Sequence, residues 1–211
     1  MGVIKQGILG GFSGKVANVV GSSWKGVAVI KSLPLSVANP NTAGQQAQRG
    51  AMTEIVAAAR VLLPVLITLF WNRFAQGMSG FNAFVKENIA TFTTSGFTTF
   101  ASFMATKGTL LGITPTSMVA DASSDSLTFN WVDNSGTADA LASDTISVVY
   151  WNATTSEWVV LEEEAIRSAA TVTITGLTLA TSDALKVYIF AARADYSKVS
   201  DSVYTAVTTQ A

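Results

Sequence analysis

The sequence predicts an α+β protein in two parts: an N-terminal β-hairpin followed by helices, then a C-terminal antiparallel β-sandwich. Three observations predict it. Apolar residues recur at helical spacing from Met52 to Ile89, then change to alternation from Leu127 onward. The charge changes sign nearby. Residues 1–107 hold nine Lys or Arg against Glu54 and Glu87, a balance of +7, whereas residues 108–211 hold four against twelve acids, −8. Finally, 211 residues suit one large domain or two small ones with different neighbours. The expected division is a basic hairpin and helical assembly domain over 1–106 and an acidic sandwich over 107–211.

Along the chain, Val16, Val19 and Val20, then Val27, Val29 and Ile30, read as two strands around a turn at Gly21-Ser22-Ser23. Both faces of the second strand are largely apolar. Two strands alone are marginal in water, so this segment needs a partner. Pro34 ends the hairpin, and Asn39-Pro40-Asn41-Thr42 turns into a helix whose start carries a capping box, Thr42 with Gln45. Met52, Ile55, Val56, Ala59 and Leu63 continue it. Pro64 begins a second helix or kinks the first, with Leu66, Leu69, Phe70 and Phe74 along that stretch. A third helix starts at Ser79, with Phe81, Phe84, Val85 and Ile89 on one face and Lys86, Glu87 and Asn88 opposite. Residues 91–107, rich in Thr and Phe, read as a partly extended connector.

Period-two segments follow: Leu127, Phe129 and Trp131; Ile146, Val148 and Tyr150; a turn at 152–156 and then Trp158 to Val160; Val172 and Ile174; Val187, Ile189 and Ala191; Val203, Thr205 and Val207. About seven short strands in roughly 100 residues make a sandwich.

Composition narrows function. With no His and no Cys, the chain lacks the commonest general base, the commonest transition-metal ligand and any thiolate. Charged residues make up 13%, against about 25% in an ordinary soluble domain, and the mean hydropathy is +0.38. Such a surface is expected to be covered by other subunits. Specific motifs are absent. In Gly10–Lys15 (GGFSGK), Leu9 stands where a phosphate loop needs its first Gly, and Val16 follows Lys15. Glu162-Glu163-Glu164 has no companion cluster at ligand spacing, and Asn152-Ala153-Thr154 is a glycosylation triplet without secretory context. Ser residues have no His to activate them. No catalytic residue, metal ligand or cofactor is assigned, and an enzyme is not expected.

The start of the chain does not read as a secretory signal, and Gln6 spoils a myristoylation match at Gly2. The most apolar run, Val61–Trp71, is short for a bilayer and bounded by Arg60 and Arg73. No membrane span is expected from it.

The residues GGFSGKVANVVGSSWKG, VIKSLP and NPNTAGQQAQR, between Gly10 and Arg49, resemble an uncharacterised family common in Bacteroidota and their phages. Trp24, Lys25, Gly26, Pro34, Pro40, Thr42, Gln45 and Arg49 carry the likeness, and Lys31 stands where Arg is commoner. The resemblance spans the chain and implies no activity or catalytic residue. Residues 108–211 resemble a fibronectin-III or immunoglobulin-like sandwich, through Trp131, Leu177 and the stretch Tyr188 to Tyr204.

Together these readings lead to a structural assembly protein, a bacteriophage virion component (capsid, tail or vertex) assembled in the bacterial cytoplasm. Its expected partners are copies of itself and other virion proteins, with Trp24, Lys25, Lys31, Thr42, Gln45, Arg49, Phe70 and Trp71 at subunit contacts. Nucleic-acid contact by the basic half ranks below subunit pairing, because its charges are spread rather than clustered. The alternative is a cell-associated module binding a ligand or glycan through the sandwich loops.

Overall fold

The computed structural model describes residues 3–4, 11–34, 36 and 39–211, with Val3 and Ile4 as backbone only. Gly2, Lys5 and residues 7–10 of the Gly-rich stretch lie outside the described residues. The chain divides into two compact units, Met1–Thr42 and Ala43–Ala211.

In the first unit, β1 (Val3–Ile4), β2 (Phe12–Val16), β3 (Val19–Trp24) and β4 (Val27–Ser32) form one sheet in that order, every neighbour antiparallel. The tight turn between β3 and β4 is Lys25-Gly26, not the expected Gly21-Ser22-Ser23, because Trp24 pairs with Val27. Both turn residues have positive φ, +48° and +84°, as a two-residue hairpin loop demands, and Gly26 takes that conformation without strain. Gly21 serves packing instead. A Cβ there would stand 2.3 Å from the Phe12 carbonyl oxygen and 2.6 Å from its ring.

The second unit has three layers. One sheet has the order β11-β8-β7 and the other β10-β9-β12-β13, all antiparallel. The strands are β7 (Thr114–Asp121), β8 (Ser126–Val132), β9 (Thr145–Asn152), β10 (Glu157–Ile166), β11 (Thr171–Ile174), β12 (Ala184–Ala192) and β13 (Val203–Thr208). Leu127, Phe129 and Trp131 of one sheet meet Ile146, Val148, Leu185, Val187 and Ile189 of the other in a dry core. This is the expected antiparallel sandwich. Strand β7 was not legible in the sequence: it is mostly exposed, carries Pro115, and shifts register between Pro115 and Ser117. An edge position with a bulge is where a strand tolerates proline.

The third layer corrects the expected boundary at 106/107. Val149, Tyr188, Phe190 and Ala192 point to the other face of the four-stranded sheet, where Ile55, Leu62, Leu66, Ile67, Phe70, Trp71, Phe84 and Phe103 cover them. Strands β9 and β12 are therefore buried on both faces, and the helices belong to the sandwich unit. Thr106 is fully buried and its hydroxyl donates to the Ser200 carbonyl at 2.9 Å. Gly108 lies so close to Val199 that a Cβ would sit 1.9 Å from its carbonyl oxygen. No linker exists at that point.

Helix α1 (Ala43–Leu62) starts immediately after Thr42, then continues into a π-helical segment (Leu63–Trp71) and a final turn α2 (Asn72–Phe74). Pro64 thus changes the winding rather than opening a separate helix. It has no N–H to give the preceding turn, and the wider coil is closed by Asn72 N–H donating to the Ile67 carbonyl five residues back. Thr68 Oγ1 also donates to the Leu63 carbonyl at 2.7 Å. Ala43–Phe74 is consequently one 32-residue helix, long and apolar enough by length and composition to cross a bilayer, unlike the eleven-residue run considered alone. Its face bearing Leu62, Leu66, Ile67, Phe70 and Trp71 is spent on the chain's own core.

Helix α3 (Gly80–Asn88) begins as predicted, with the Ser79 hydroxyl accepting from Asn82 N–H. Phe84 and Val85 are buried and Lys86 and Glu87 exposed. Asn88, expected on the polar face, is fully buried. Its amide group donates to the Phe84 and Met104 carbonyls and accepts from Met104 N–H. That pins residues 91–107, expected as a connector, which form the short hairpin β5 (Phe92–Thr93) and β6 (Gly96–Phe97) and bury Phe92 and Phe103 in the core.

Candidate functional site

The first unit leaves nearly all of its described side chains at least partly exposed. Of residues 11–34, Gly21 alone is buried. Val16, Trp24, Val27 and Ile30 are 50%, 68%, 61% and 64% exposed. Alternation along a strand ordinarily hides one apolar face, but β4 has no buried position at all. Lys15, Lys25 and Lys31 stand among these apolar groups, and residues 1–42 hold no acid. Among the described residues strand β4 pairs only with β3, so no described strand of the sheet faces its outer row of backbone N–H and C=O groups. An unprotected edge of this kind is a template for strand addition.

The residues expected at subunit contacts fall into three places. Trp24 and Lys25 come together at the β3–β4 turn, the ammonium 5.2 Å from the indole centroid, and Lys31 lies exposed on β4. Thr42, Gln45 and Arg49 lie exposed at the start of α1, where Arg49 Nε donates to the Gln45 carbonyl at 3.3 Å. Phe70 and Trp71, in contrast, are consumed by the core. Phe70 packs edge-on against Phe190 and Tyr196. Trp71 packs edge-on against Phe84, and its Nε1 donates to the Ala105 carbonyl at 2.7 Å. The placement of these two at a subunit surface is corrected accordingly.

Two features escaped the sequence reading. At one end of the sandwich Arg167 is wholly buried. Its Nε donates to Asp144 Oδ2 at 3.2 Å, and its other nitrogens to Asn134 Oδ1 and the Leu111 carbonyl. Arg193 lies 3.3 Å from Asp144 Oδ1, so the buried carboxylate meets two cations. This network ties loops together and offers no open site. The second feature is an aromatic cleft beside α1, taken up below.

Other ionisable groups serve turns. Asp121, Asp133 and Asp195 are held below the usual carboxylate range, chiefly by hydrogen bonds from Ser123, Ser135 and Ser197. Asp139 is lowered chiefly by the Lys198 ammonium, 2.9 Å away. The Tyr196 phenol is pushed up to about 12, mainly by its hydrogen bond with Glu163 of the acidic triplet. Burial raises the Tyr188 phenol, whose hydroxyl donates to the Phe100 carbonyl. Among the described residues no group of three or more carboxylates is placed to hold a metal ion.

Comparison with known proteins adds a family and a pair of structures. A family described as a family of unknown function, DUF6266, matches residues 11–206. No curated protein matches the chain. A computationally redesigned β-sandwich protein is similar at 18% identity and a TM-score of 0.32, covering 49% of this chain and 93% of that one. The chicken CNTN1 FN1–FN3 domains are similar at 15% identity and a TM-score of 0.30, covering 47% and 33%. The sandwich described above stands on its own strand pairings.

Proposed function

The chain belongs to DUF6266, a family of unknown function, and we propose that it is a structural assembly subunit that joins its neighbours through the N-terminal sheet. One observation carries this reading: residues 11–34 form an ordered sheet in which no side chain is buried. A sheet without a core does not hold itself together in water, because burial of apolar area is the main term opposing chain entropy. Covering a Val or Ile side chain contributes roughly 1.5–3 kcal/mol. A partner lying over Val16, Trp24, Val27 and Ile30 therefore offsets several kcal/mol of lost association entropy.

Pairing at the β4 edge supplies directional hydrogen bonds, and the apolar groups supply affinity. Lys15, Lys25 and Lys31 supply selectivity. They repel an identical basic surface and favour an acidic one, such as residues 108–211 of a neighbour with its balance of −8. The shortage of charge over the whole chain fits a molecule much of whose surface is shared with neighbours. The setting we propose, from the sequence resemblance, is a bacteriophage particle, with the sandwich unit as the projecting part.

The test has two stages. Native mass spectrometry and sedimentation across concentration are expected to show discrete oligomers of the full chain, and peptide mass spectrometry of purified particles is expected to find the protein. A chain that stays monomeric at high concentration and is missing from particles contradicts the proposal.

A further inference from the structure

A cleft lies wholly within the second unit, between α1 and the four-stranded sheet. It has a volume of about 550 Å3 and is open on one side. Glu54, Ala57 and Val61 of α1 form one wall, and the β5–β6 hairpin forms another. The aromatic lining is unusual for an open surface. Phe97 lies 5.3 Å from Trp158 and 6.1 Å from Trp151, and the two indoles lie 5.1 Å apart, centroid to centroid. None of the three is fully buried. Phe100 extends the cluster, 4.7 Å from Phe97, and Lys186 already places its ammonium 5.1 Å from the Phe100 centroid. Among the described residues Glu54 is the one charged side chain lining the cleft.

Clustered aromatic faces beside a single carboxylate select a particular occupant. The rings attract a flat apolar body and, through their quadrupoles, a cation, while the carboxylate adds a charge-assisted partner for that cation. Among the described residues two pairs of an exposed ring and an ammonium have this chemistry: Phe74 with Lys107, whose ammonium is already held by Glu87, and the β3–β4 turn, where exposed Trp24 and the Lys25 ammonium stand together on a segment that carries no acid.

We infer that the cleft receives the Trp24-Lys25 turn of a second copy of this chain, with the indole against Phe97, Trp151 and Trp158 and the ammonium on Glu54. This rests on the assembly reading and names the surface that answers the N-terminal sheet. A knob on one copy enters a hole on another: made reciprocally it closes a two-fold dimer, and made head to tail it closes into rings or continues as a filament.

The unmodified chain allows a direct test, since a carbodiimide joins a carboxylate to an amine only when the two are in contact. Equal amounts of unlabelled and nitrogen-15-labelled protein are mixed, treated with the reagent and mapped by mass spectrometry. The expected product is a Lys25–Glu54 amide in which about half the linked peptides pair one labelled with one unlabelled chain, the statistical outcome for contact between copies. Glu54→Lys is expected to weaken self-association at least tenfold, and Lys25→Glu in the same chain to restore most of it. Lys25 is exposed and Glu54 half-buried at the cleft mouth, so unchanged melting of each variant is required before its effect on association is read.

Each contrary outcome points elsewhere. Oligomers without this cross-link, and indifferent to Glu54→Lys, overturn the docking while leaving the assembly reading in place. A cross-link only within single chains overturns the second copy as occupant. Oligosaccharide that saturably quenches the tryptophans and blocks the cross-link assigns the cleft to a glycan instead and overturns the proposal. A chain that is monomeric throughout overturns the docking, and one that is also missing from particles removes both readings.

Discussion

The two units of this chain solve the problem of ordering a backbone in opposite ways. Residues 43–211 bury Trp71, Phe84, Phe129, Phe190 and Tyr188 in two contiguous cores, and even their buried ions are matched to partners. Residues 11–34 order three strands while fully burying no side chain, with Phe12, Val19, Val20 and Val29 only half-buried. The second unit has the features of a self-sufficient fold, and the first has those of half an interface. The contrast teaches that the shortage of charge in this chain has two sources. Part of it belongs to a sheet buried on both faces inside one molecule. The rest belongs to a sheet that we propose is buried only between molecules.

The sharpest way to break that comparison is to attack the second unit where it should be least forgiving. Arg167→Met leaves Asp144 buried with Arg193 as its one remaining cation beside the Leu141 N–H, and is expected to cost about 3–5 kcal/mol in urea denaturation. Trp71→Ala opens a cavity and strands the Ala105 carbonyl, at a similar cost of about 3–5 kcal/mol. A loss below about 1 kcal/mol at either site would mean that this unit is not self-contained. Next, Asn88→Ala removes the clamp on Met104 and is expected to cost about 1–3 kcal/mol. Ser79→Ala removes a helix cap, at about 1 kcal/mol.

A pH series gives a subtler check on the same unit. The Asp139 carboxyl is depressed in the folded chain, so its contribution is present above the ordinary carboxylate pKa and is lost as pH falls through the lowered value. The melting temperature is therefore expected to fall as pH drops below about 4, and to fall less in Asp139→Asn, which has already lost the Lys198 pair. At the other extreme, Ile30→Ser is expected to change the melting of the second unit by less than about 0.5 kcal/mol, while lowering self-association. A large melting effect from Ile30 would mean that the first unit belongs to the second unit's core.

How much of this was legible follows from which signals are local. Strands β8 to β13 announce themselves by alternation, and the starts of α1 and α3 by their polar cap residues, because each signal lies within a few positions. Double burial of β9 and β12 was also visible, had Ser147–Tyr150 and Val187–Ala192 been read as continuous runs rather than alternations. The boundary at 106/107 was misplaced because charge tracks the surface, whereas the unit is defined by packing between Phe70 and Phe190, far apart in the chain. The Arg167–Asp144 network and the aromatic cleft were illegible for the same reason. Glu54, Phe97, Trp151 and Trp158 meet only once the sheet and α1 are in place. At the N-terminal sheet the apolar character of both faces of Val27–Lys31 was legible in the sequence, and the structure leaves Val27, Ala28 and Ile30 exposed; their covering by a partner is our proposal.

The most direct measurement of the central claim is hydrogen exchange of the full chain at low and high concentration, read beside its native mass. The account predicts that amides of residues 12–32 gain protection together with the appearance of oligomers, while those of residues 126–132 and 184–192 are protected equally at both. Full protection of residues 12–32 in a monomer would contradict it.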